Sequence, residues 1–186
     1  SYITEGATCH YTWYVPQNVE GLFQVISNSG QNVITRLDRM FDEGLYWHGN
    51  EPCHQIAYLY NKAGAPWKTQ QRIHHILNTE YNDTPGGLSG NDDAGQMSAW
   101  YMFSAIGFYP VCPATPYYYI GTPSFDKVTF NLENGRKFEI VAEGVDDENF
   151  YIQQVDLNGK SGYYLSHDDL LKGGKLSFRM GNSPKY

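Results

Sequence analysis

Cysteine and clustered positive charge are both scarce in this sequence of 186 residues. The three cysteines, Cys9, Cys53 and Cys112, are odd in number and lack a Cys-x-x-Cys spacing, so buried thiols are favoured over a disulfide framework or a zinc site. The formal net charge is −7 and no basic run appears, which argues against a nucleic-acid partner. The sequence shows no apolar stretch of membrane-spanning length and no signal-peptide pattern at its start, so we expect no membrane partner.

Apolar and aromatic side chains are plentiful instead. Hydrophobic residues make up 41% of the chain and charged residues 18%, which predicts a folded chain of one sizeable domain or two small ones. Sixteen tyrosines, nine phenylalanines and four tryptophans suit a packed core. They also suit a carbohydrate-binding cleft, because flat rings cover the apolar faces of sugars while hydroxyl tips keep polar partners.

Helical periodicity dominates the chain up to about Ile106. Apolar residues recur every three or four positions, and Asn, Asp, Pro and Gly stand where helices begin and end. The pattern predicts five helices, in residues 18–30, 31–44, 51–64 and 65–81 and in a last segment capped by Asn91 or Asp92.

The period of the apolar residues changes to two after Gly107. Asn134-Gly135 and Asn158-Gly159 predict tight turns between strands. Alternating segments that predict strands lie in residues 127–142, 150–160 and 175–180.

Helices followed by strands indicate an α+β chain, with part of a helical array packed on a small antiparallel sheet. We place the boundary between Pro110 and Pro116. The helical portion then occupies residues 1–109, and the antiparallel β segment occupies residues 110–186.

Polar residues able to carry chemistry concentrate in loops before the predicted helices. If these loops share one face of a helical array, their side chains converge at one mouth. They are Glu5 in TEGA, His48, Asn50, Glu51 and His54 in HGNEPCH, Trp67 and Lys68 in GAPWKTQ, and Asn91, Asp92, Asp93 and Gln96 in GNDDAGQ.

Convergent carboxylates indicate two chemistries. Glycoside hydrolysis uses one protonated carboxyl group as the acid and one ionised carboxylate as the base. A hard cation such as calcium binds Asp, Glu and Asn oxygens, although the spacing of an EF-hand is absent. Simpler readings stay open: Asp92 or Asp93 as a helix cap, Glu51 as a first-turn acid and His54 as a core histidine.

Four segments together closely resemble glycoside hydrolase family 92, a family of α-mannosidases that often act on α-1,2-linked mannose. They are TEG…YTW-x-VP followed by GL, GNEP-x-HQIAYLYN-x-AGAPWKTQ, GNDDAGQMSAWY-x-FSAIGFYPVCP and Y-x-IG-x-P-x-F. The resemblance covers nearly the whole chain and implies the C-terminal portion of a longer enzyme. That portion would supply the last helices of an (α/α)6 barrel and a closing β segment, without the N-terminal β-sandwich domain.

The resemblance also implies inverting, calcium-assisted hydrolysis of a terminal α-mannoside. Glu5 would be the general acid, and Asp93, with Asp92 beside it, would position and deprotonate the water. Asn50 and Glu51 would lie at the calcium and sugar subsite.

The same resemblance implies a lining for that subsite. His54, Trp67, Lys68 and Gln96 would contact a mannose-containing oligosaccharide or glycan. Family members are often secreted or periplasmic, which is the only indication of location.

Two departures from the family pattern keep a second hypothesis open. Ala7 stands where the family usually has Asn, and Gln17-Asn18 stands where it usually has His-Asp. The chain could accordingly be a non-catalytic sugar-binding or structural remnant of such an enzyme. Because a partial barrel exposes apolar faces, we also expect self-association or pairing with the missing N-terminal domain.

Overall fold

A computed structural model describes residues 3–159 and 161–186 of the chain. Helices fill the first part and strands the second, as the change of period predicted. The helices of the described residues are α1 (Thr8–Thr12), α2 (Val19–Asn28), α3 (Val33–Asp42), α4 (Leu59–Lys62), α5 (Pro66–Thr79), α6 (Gln96–Ile106) and α7 (His167–Leu171).

Local sequence signals explain the two helices that follow each other near the start. The Asn18 side chain accepts a hydrogen bond from Gly21 N–H at the start of α2, and Asn32 accepts one from Thr35 N–H at the start of α3, each at 2.9 Å. These caps satisfy backbone donors that have no partner within the helix. The apolar face of α3 then buries Leu37 and Met40 in the core.

The prediction of one continuous helix over residues 51–64 is wrong. The segment forms 3-10 turns at Glu51–Cys53 and Ile56–Tyr58 and becomes α-helical only in α4. The Gln55 side-chain amide donates to the Pro52 carbonyl at 2.9 Å. That carbonyl would otherwise accept the N–H of Ile56 in a regular helix, so a buried glutamine interrupts the pattern.

The strands form two sheets rather than one. Sheet order is β1-β2-β6 in the first and β3-β4-β7-β5 in the second. The strands are β1 (Phe108–Tyr109), β2 (Tyr117–Ile120), β3 (Lys127–Asn131), β4 (Lys137–Glu143), β5 (Tyr151–Leu157), β6 (Tyr164–Ser166) and β7 (Gly174–Gly181).

The expectation of a purely antiparallel β segment needs correction. Strand β7 pairs with β4 in parallel and with β5 antiparallel. After β5 the chain passes through β6 and α7 and then returns to the sheet between β4 and β5. Both predicted turns are confirmed: Asn134-Gly135 joins β3 to β4, and Asn158-Gly159 follows β5 with left-handed φ values of 48° and 87°.

The buried apolar residues form two clusters. Trp13, Leu37, Tyr58 and Trp100 belong to the helical cluster. Phe138, Ile140, Leu176 and Phe178 belong to the sheet cluster. Neighbouring residues of β1 divide between them, since Phe108 packs in the sheet cluster and Tyr109 in the helical one; the division of the chain at residue 109 stays a prediction.

Buried amides fasten the helices to the sheets. Asn61, in α4, donates to the Ile120 carbonyl at 2.7 Å. Gln70, in α5, accepts the N–H of Ile152 at 2.9 Å, next to an irregularity in the pairing of β5 with β7. Each amide satisfies a backbone group that would be costly to bury alone.

The cysteines are free, and only Cys53 is fully buried; Cys9 and Cys112 are partly exposed. The expectation of buried thiols therefore holds for one of the three. In the described residues no helix combines the length and the apolar character needed to cross a membrane.

Asn32→Ala tests whether the cap supports α3. We expect the free energy of unfolding to fall by about 1 kcal/mol, because Thr35 N–H loses its acceptor. Urea denaturation followed by circular dichroism measures this. Asn28→Ala, at the exposed end of α2, is the control and should change the value by less than about 0.5 kcal/mol; equal losses in both variants would contradict the capping role.

Candidate active site

Glu5 lies in a tight turn just before α1. Its φ is 56°, in the left-handed region, which costs a non-glycine residue roughly 1–3 kcal/mol and persists only where the surroundings hold it. The Glu5 carbonyl oxygen accepts a hydrogen bond from the Asn50 side-chain amide. The Tyr11 hydroxyl, which donates to the Thr4 carbonyl at 3.1 Å, lies 3.4 Å from the same Glu5 oxygen. The backbone of Glu5 is therefore fixed from two sides while the residue stays exposed.

Two glycines bring the next two predicted segments into contact. A Cβ added to Gly49 would lie 2.7 Å from the Ser89 carbonyl oxygen, and one added to Gly90 would overlap the Gly49 carbonyl oxygen. Because Asn50 also reaches Glu5, segments 4–6, 48–51 and 89–93 form one group, here called the three-loop cluster. The predicted convergence of these loops is visible in these contacts.

The adjacent carboxylates of the cluster are engaged differently. The Asp92 side chain accepts hydrogen bonds from the Ser98 N–H at 2.9 Å and from the Ser98 hydroxyl at 2.8 Å. Helix α6 begins only at Gln96, and its N-cap residue is Gly95, in a left-handed conformation. The prediction of Asn91 or Asp92 as the N-cap residue is therefore wrong, although the Asp92 side chain still accepts a backbone N–H of the first turn. Asp93 has a left-handed φ of 48° and is exposed.

A chain of neutral hydrogen bonds lies behind the cluster. The Tyr81 hydroxyl donates to the Met97 carbonyl at 3.1 Å, so its oxygen accepts from His48 Nε2 at 2.7 Å. The other ring nitrogen, Nδ1, then accepts the Tyr46 hydroxyl at 2.7 Å. Burial, followed by the charge of a neighbouring histidine, lowers the pKa of His48 to about 2, which keeps the ring neutral as this pattern requires.

His54 and Gln96 are neighbours, as a shared site would require. His54 Nε2 donates to the His48 carbonyl at 3.1 Å, and burial lowers the pKa of its imidazole. The Gln96 amide lies 3.4 Å from His54 Nδ1 and donates to the Tyr109 hydroxyl at 3.2 Å. Trp100 Nε1 donates to the His54 carbonyl at 2.9 Å, which fixes the backbone of this histidine against α6.

Trp67 and Lys68 have other neighbours. The Lys68 ammonium binds both carboxylate oxygens of Asp38, at 2.9 and 3.0 Å, which links α5 to α3. The Trp67 ring packs edge-on against Tyr186 at 5.0 Å between ring centres. Binding of sugar by Trp67 and Lys68 stays a prediction. In the structure these side chains contact Tyr186 and Asp38 instead.

The sequence matches the glycosyl hydrolase family 92 catalytic domain over residues 1–182 of the 186. The chain belongs to glycoside hydrolase family 92. The resemblance drawn from the motifs is confirmed.

Solved members of family 92 share its fold. The chain is 44% identical to a family 92 α-mannosidase of Bacteroides thetaiotaomicron solved with mannoimidazole, with a TM-score of 0.91. The match covers 99% of this chain and 26% of the mannosidase. It is 39% identical to a family 92 inverting mannosidase of the same bacterium, with a TM-score of 0.89, over 97% of this chain and 28% of that one.

A fungal relative extends the comparison. An uncharacterized secreted glycosidase of Arthroderma benhamiae is 31% identical in a match of 174 residues, and the match covers 91% of this chain and 22% of that protein. The family 92 chain therefore spans about a quarter of the length of the relatives that it matches.

Two candidate calcium ligands lie in the three-loop cluster of this family 92 chain. The described residues hold no group of three or more His, Cys, Asp or Glu side chains that could bind a metal ion together. Asn50 and Glu51 offer oxygen donors, which is the type that calcium prefers, but calcium takes six to eight oxygens. Their chemistry fits calcium, and their number does not complete a site.

Sequence reasoning missed the tyrosines that support the site. None of Tyr46, Tyr81 and Tyr109 was singled out from the sequence, yet their hydroxyls contact His48 or Gln96. Tyr109 lies in the GFYP part of a family 92 motif, which was the available signal. Burial raises the pKa of Tyr109 to about 12, so its hydroxyl stays protonated at neutral pH.

Gly90→Ala tests the contact between the loops of the cluster. We expect the free energy of unfolding to fall by about 1–3 kcal/mol, because the new methyl group meets backbone atoms of Gly49. Urea denaturation measures the loss. Gly86→Ala is the matched control in the same loop, since a Cβ there meets nothing within 4 Å; a similar loss in both variants would contradict the proposed packing.

The neutral state of His48 predicts an acid-dependent loss of stability. The unfolded chain binds a proton on this ring near pH 6.5 and the folded chain only near pH 2, so acid favours unfolding. The stability from this group is complete above pH 6.5 and falls by about 1.4 kcal/mol per pH unit between there and the lower pKa.

His48→Gln isolates this effect, because an amide retains a donor and an acceptor without titrating. We expect the variant to lose that part of the slope when urea denaturation is repeated from neutral to mildly acidic pH. His75→Gln, at an exposed position of α5, should keep the wild-type slope. An unchanged slope in His48→Gln would show that folding does not lower the pKa of His48, and would contradict the buried neutral ring.

Proposed function

We propose that this chain contributes the acid and the base of an inverting α-mannosidase that hydrolyses terminal α-mannosides, with α-1,2-linked mannose as the preferred class. One observation carries the proposal. In a chain of family 92, the three-loop cluster brings together the segments of Glu5 and Asp93, and both residues are exposed with left-handed backbone conformations. Strain of this kind concentrates at functional sites.

The two carboxyl groups have separate roles in the proposed reaction. Glu5 gives its proton to the glycosidic oxygen as the bond from that oxygen to the mannose anomeric carbon breaks. Asp93 takes a proton from the water that forms the new bond to the same carbon, from the opposite face. The Asp92 carboxylate, held by Ser98, orients the turn that carries Asp93.

An inverting reaction requires room for water between the acid and the base. Their carboxyl groups would lie roughly 6.5–9.5 Å apart with substrate bound. Gln96 is partly exposed and is suited to a hydrogen bond with a sugar hydroxyl. His54 is buried, and its Nδ1 lies 3.4 Å from the Gln96 amide, so it would position Gln96 rather than contact the sugar itself.

Calcium is part of the proposal for the complete enzyme. Asn50 and Glu51 would supply two of its oxygen ligands, and the ion would provide positive charge beside the sugar hydroxyls. The remaining ligands would come from substrate, water or residues outside this chain.

The site would be completed by polypeptide beyond these residues. We propose that α1 to α6 form part of an (α/α)6 barrel whose other helices lie outside the chain. Exposed apolar side chains support this, since Val25 and Met102 are 68% and 59% exposed. The partner would be the N-terminal part found in longer relatives or a second copy, and export from the cell is supported by the fungal relative, which is described as secreted.

Replacing each carboxylate tests the proposal. We would measure mannose released from α-1,2-mannobiose by the chain, with calcium and with a chelator. A second arm would use a chimera in which the chain replaces the matching quarter of the Bacteroides mannosidase. We expect Glu5→Gln and Asp93→Asn to lower kcat by about 100- to 10,000-fold. For the active wild-type protein, proton NMR should show β-mannose as the first product.

Asp83→Asn is the matched control, because it is an exposed acid outside the three-loop cluster. It should leave kcat unchanged. If the wild-type chimera folds but releases no mannose, the chain is instead a non-catalytic remnant. Full activity in Glu5→Gln or Asp93→Asn would remove that residue from its proposed role.

A further inference from the structure

A separate cleft lies where the helices meet the three-stranded sheet. Its volume is about 450 Å³, within the range of small-molecule sites. Its walls come from the start of α2 and the end of α4, and its floor comes from β2 and β6. Its described lining residues all differ from those of the three-loop cluster.

Three tyrosines share the floor because of strand register. Tyr117 and Tyr119 are two residues apart on β2 and therefore lie on the same face. Tyr164 on β6 is directly opposite Tyr119, and their rings meet edge to face at 4.8 Å between centres. The intervening Tyr118 packs the other way, against Phe108 at 4.9 Å. One face of the sheet is thus aromatic, and the other belongs to the core.

An ion pair forms the wall above this floor. Lys62 Nζ lies 2.6 Å from a Glu20 carboxylate oxygen and 6.0 Å from the centre of the Tyr164 ring. The hydrogen bond from Lys62 lowers the pKa of Glu20, and burial raises the pKa of Tyr164 to about 12. The wall therefore offers an ionised carboxylate with a second oxygen, an ammonium group with further protons, and a neutral hydroxyl.

We propose that this cleft is a second sugar-binding subsite for a neutral hexopyranose. An aromatic floor covers the C–H face of a pyranose ring. The Glu20 carboxylate can accept from one sugar hydroxyl while the neighbouring Lys62 ammonium donates to the next. The two charges of the wall cancel, which favours a neutral ligand over an anion. The subsite requires no turnover and is independent of the proposed hydrolysis.

The cysteines of the chain provide a footprinting test. Cys112 and Cys9 are both partly exposed. Cys112 lines the cleft, whereas Cys9 lines a different cavity. We would follow alkylation of each by iodoacetamide, using mass spectrometry, with increasing methyl α-mannopyranoside. We expect the sugar to slow alkylation of Cys112 several-fold and to leave Cys9 unchanged. Sorbitol, an acyclic polyol, should protect neither cysteine.

Variants decide where the sugar binds. Tyr164→Ala and Glu20→Ala should each raise the sugar concentration for half protection about tenfold or more. Tyr164→Phe keeps the ring and should retain most of the protection, and the exposed Tyr14→Ala should behave as wild type. Circular dichroism confirms that each variant folds.

Three outcomes would overturn the subsite. They are the absence of sugar protection at Cys112, equal slowing of Cys9, and protection that persists in both Tyr164→Ala and Glu20→Ala. Glu5→Gln and Asp93→Asn separate this inference from the proposed hydrolysis. They should leave protection intact even where turnover is lost; loss of protection in them would assign the sugar to the three-loop cluster and contradict a second subsite.

Discussion

The neutral ring of His48 is the interaction on which the candidate site depends. Its side chain joins Tyr46 to Tyr81, and its carbonyl accepts a hydrogen bond from His54. Through Tyr81 the same chain reaches Met97 in the first turn of α6. A protonated ring would have two donors and could not accept the Tyr46 hydroxyl. Burial keeps the ring neutral, and the Met97 carbonyl, which can only accept, then sets the direction of the hydrogen bonds along the chain.

The fold could be predicted wherever the interactions that form an element lie within a short segment of the sequence. The starts of α2 and α3 follow from Asn18 and Asn32, whose side-chain oxygens accept from backbone N–H groups only three residues away. The interrupted segment 51–64 could not be predicted, because its competing bond comes from the buried Gln55, which also donates to Trp13. The parallel pairing of β7 was equally hidden, since alternation shows which face is buried but not which strand lies alongside.

The site divides in the same way. Segments of Glu5, Asn50 and Asp93 were predictable as a group because long motifs carried them. Lys68 was placed among them by its motif, but its ammonium is held by Asp38, thirty residues earlier in the chain. The difference in hydrogen bonding between Asp92 and Asp93 depends on Ser98, which a helix-cap rule treats only as one more polar residue. Long-range partners of this kind follow from packing and leave no local periodicity.

The central position of β7 has a consequence for how the protein folds. Residues 174–181 lie between β4 and β5, so neither flank of the four-stranded sheet has a complete neighbour until they arrive. The helices, built from contacts close in sequence, can form while the chain is still being synthesised. The sheet must wait for its last strand. During that interval the edges of β4 and β5 are open to other strands, which makes this half the aggregation-sensitive part of the molecule.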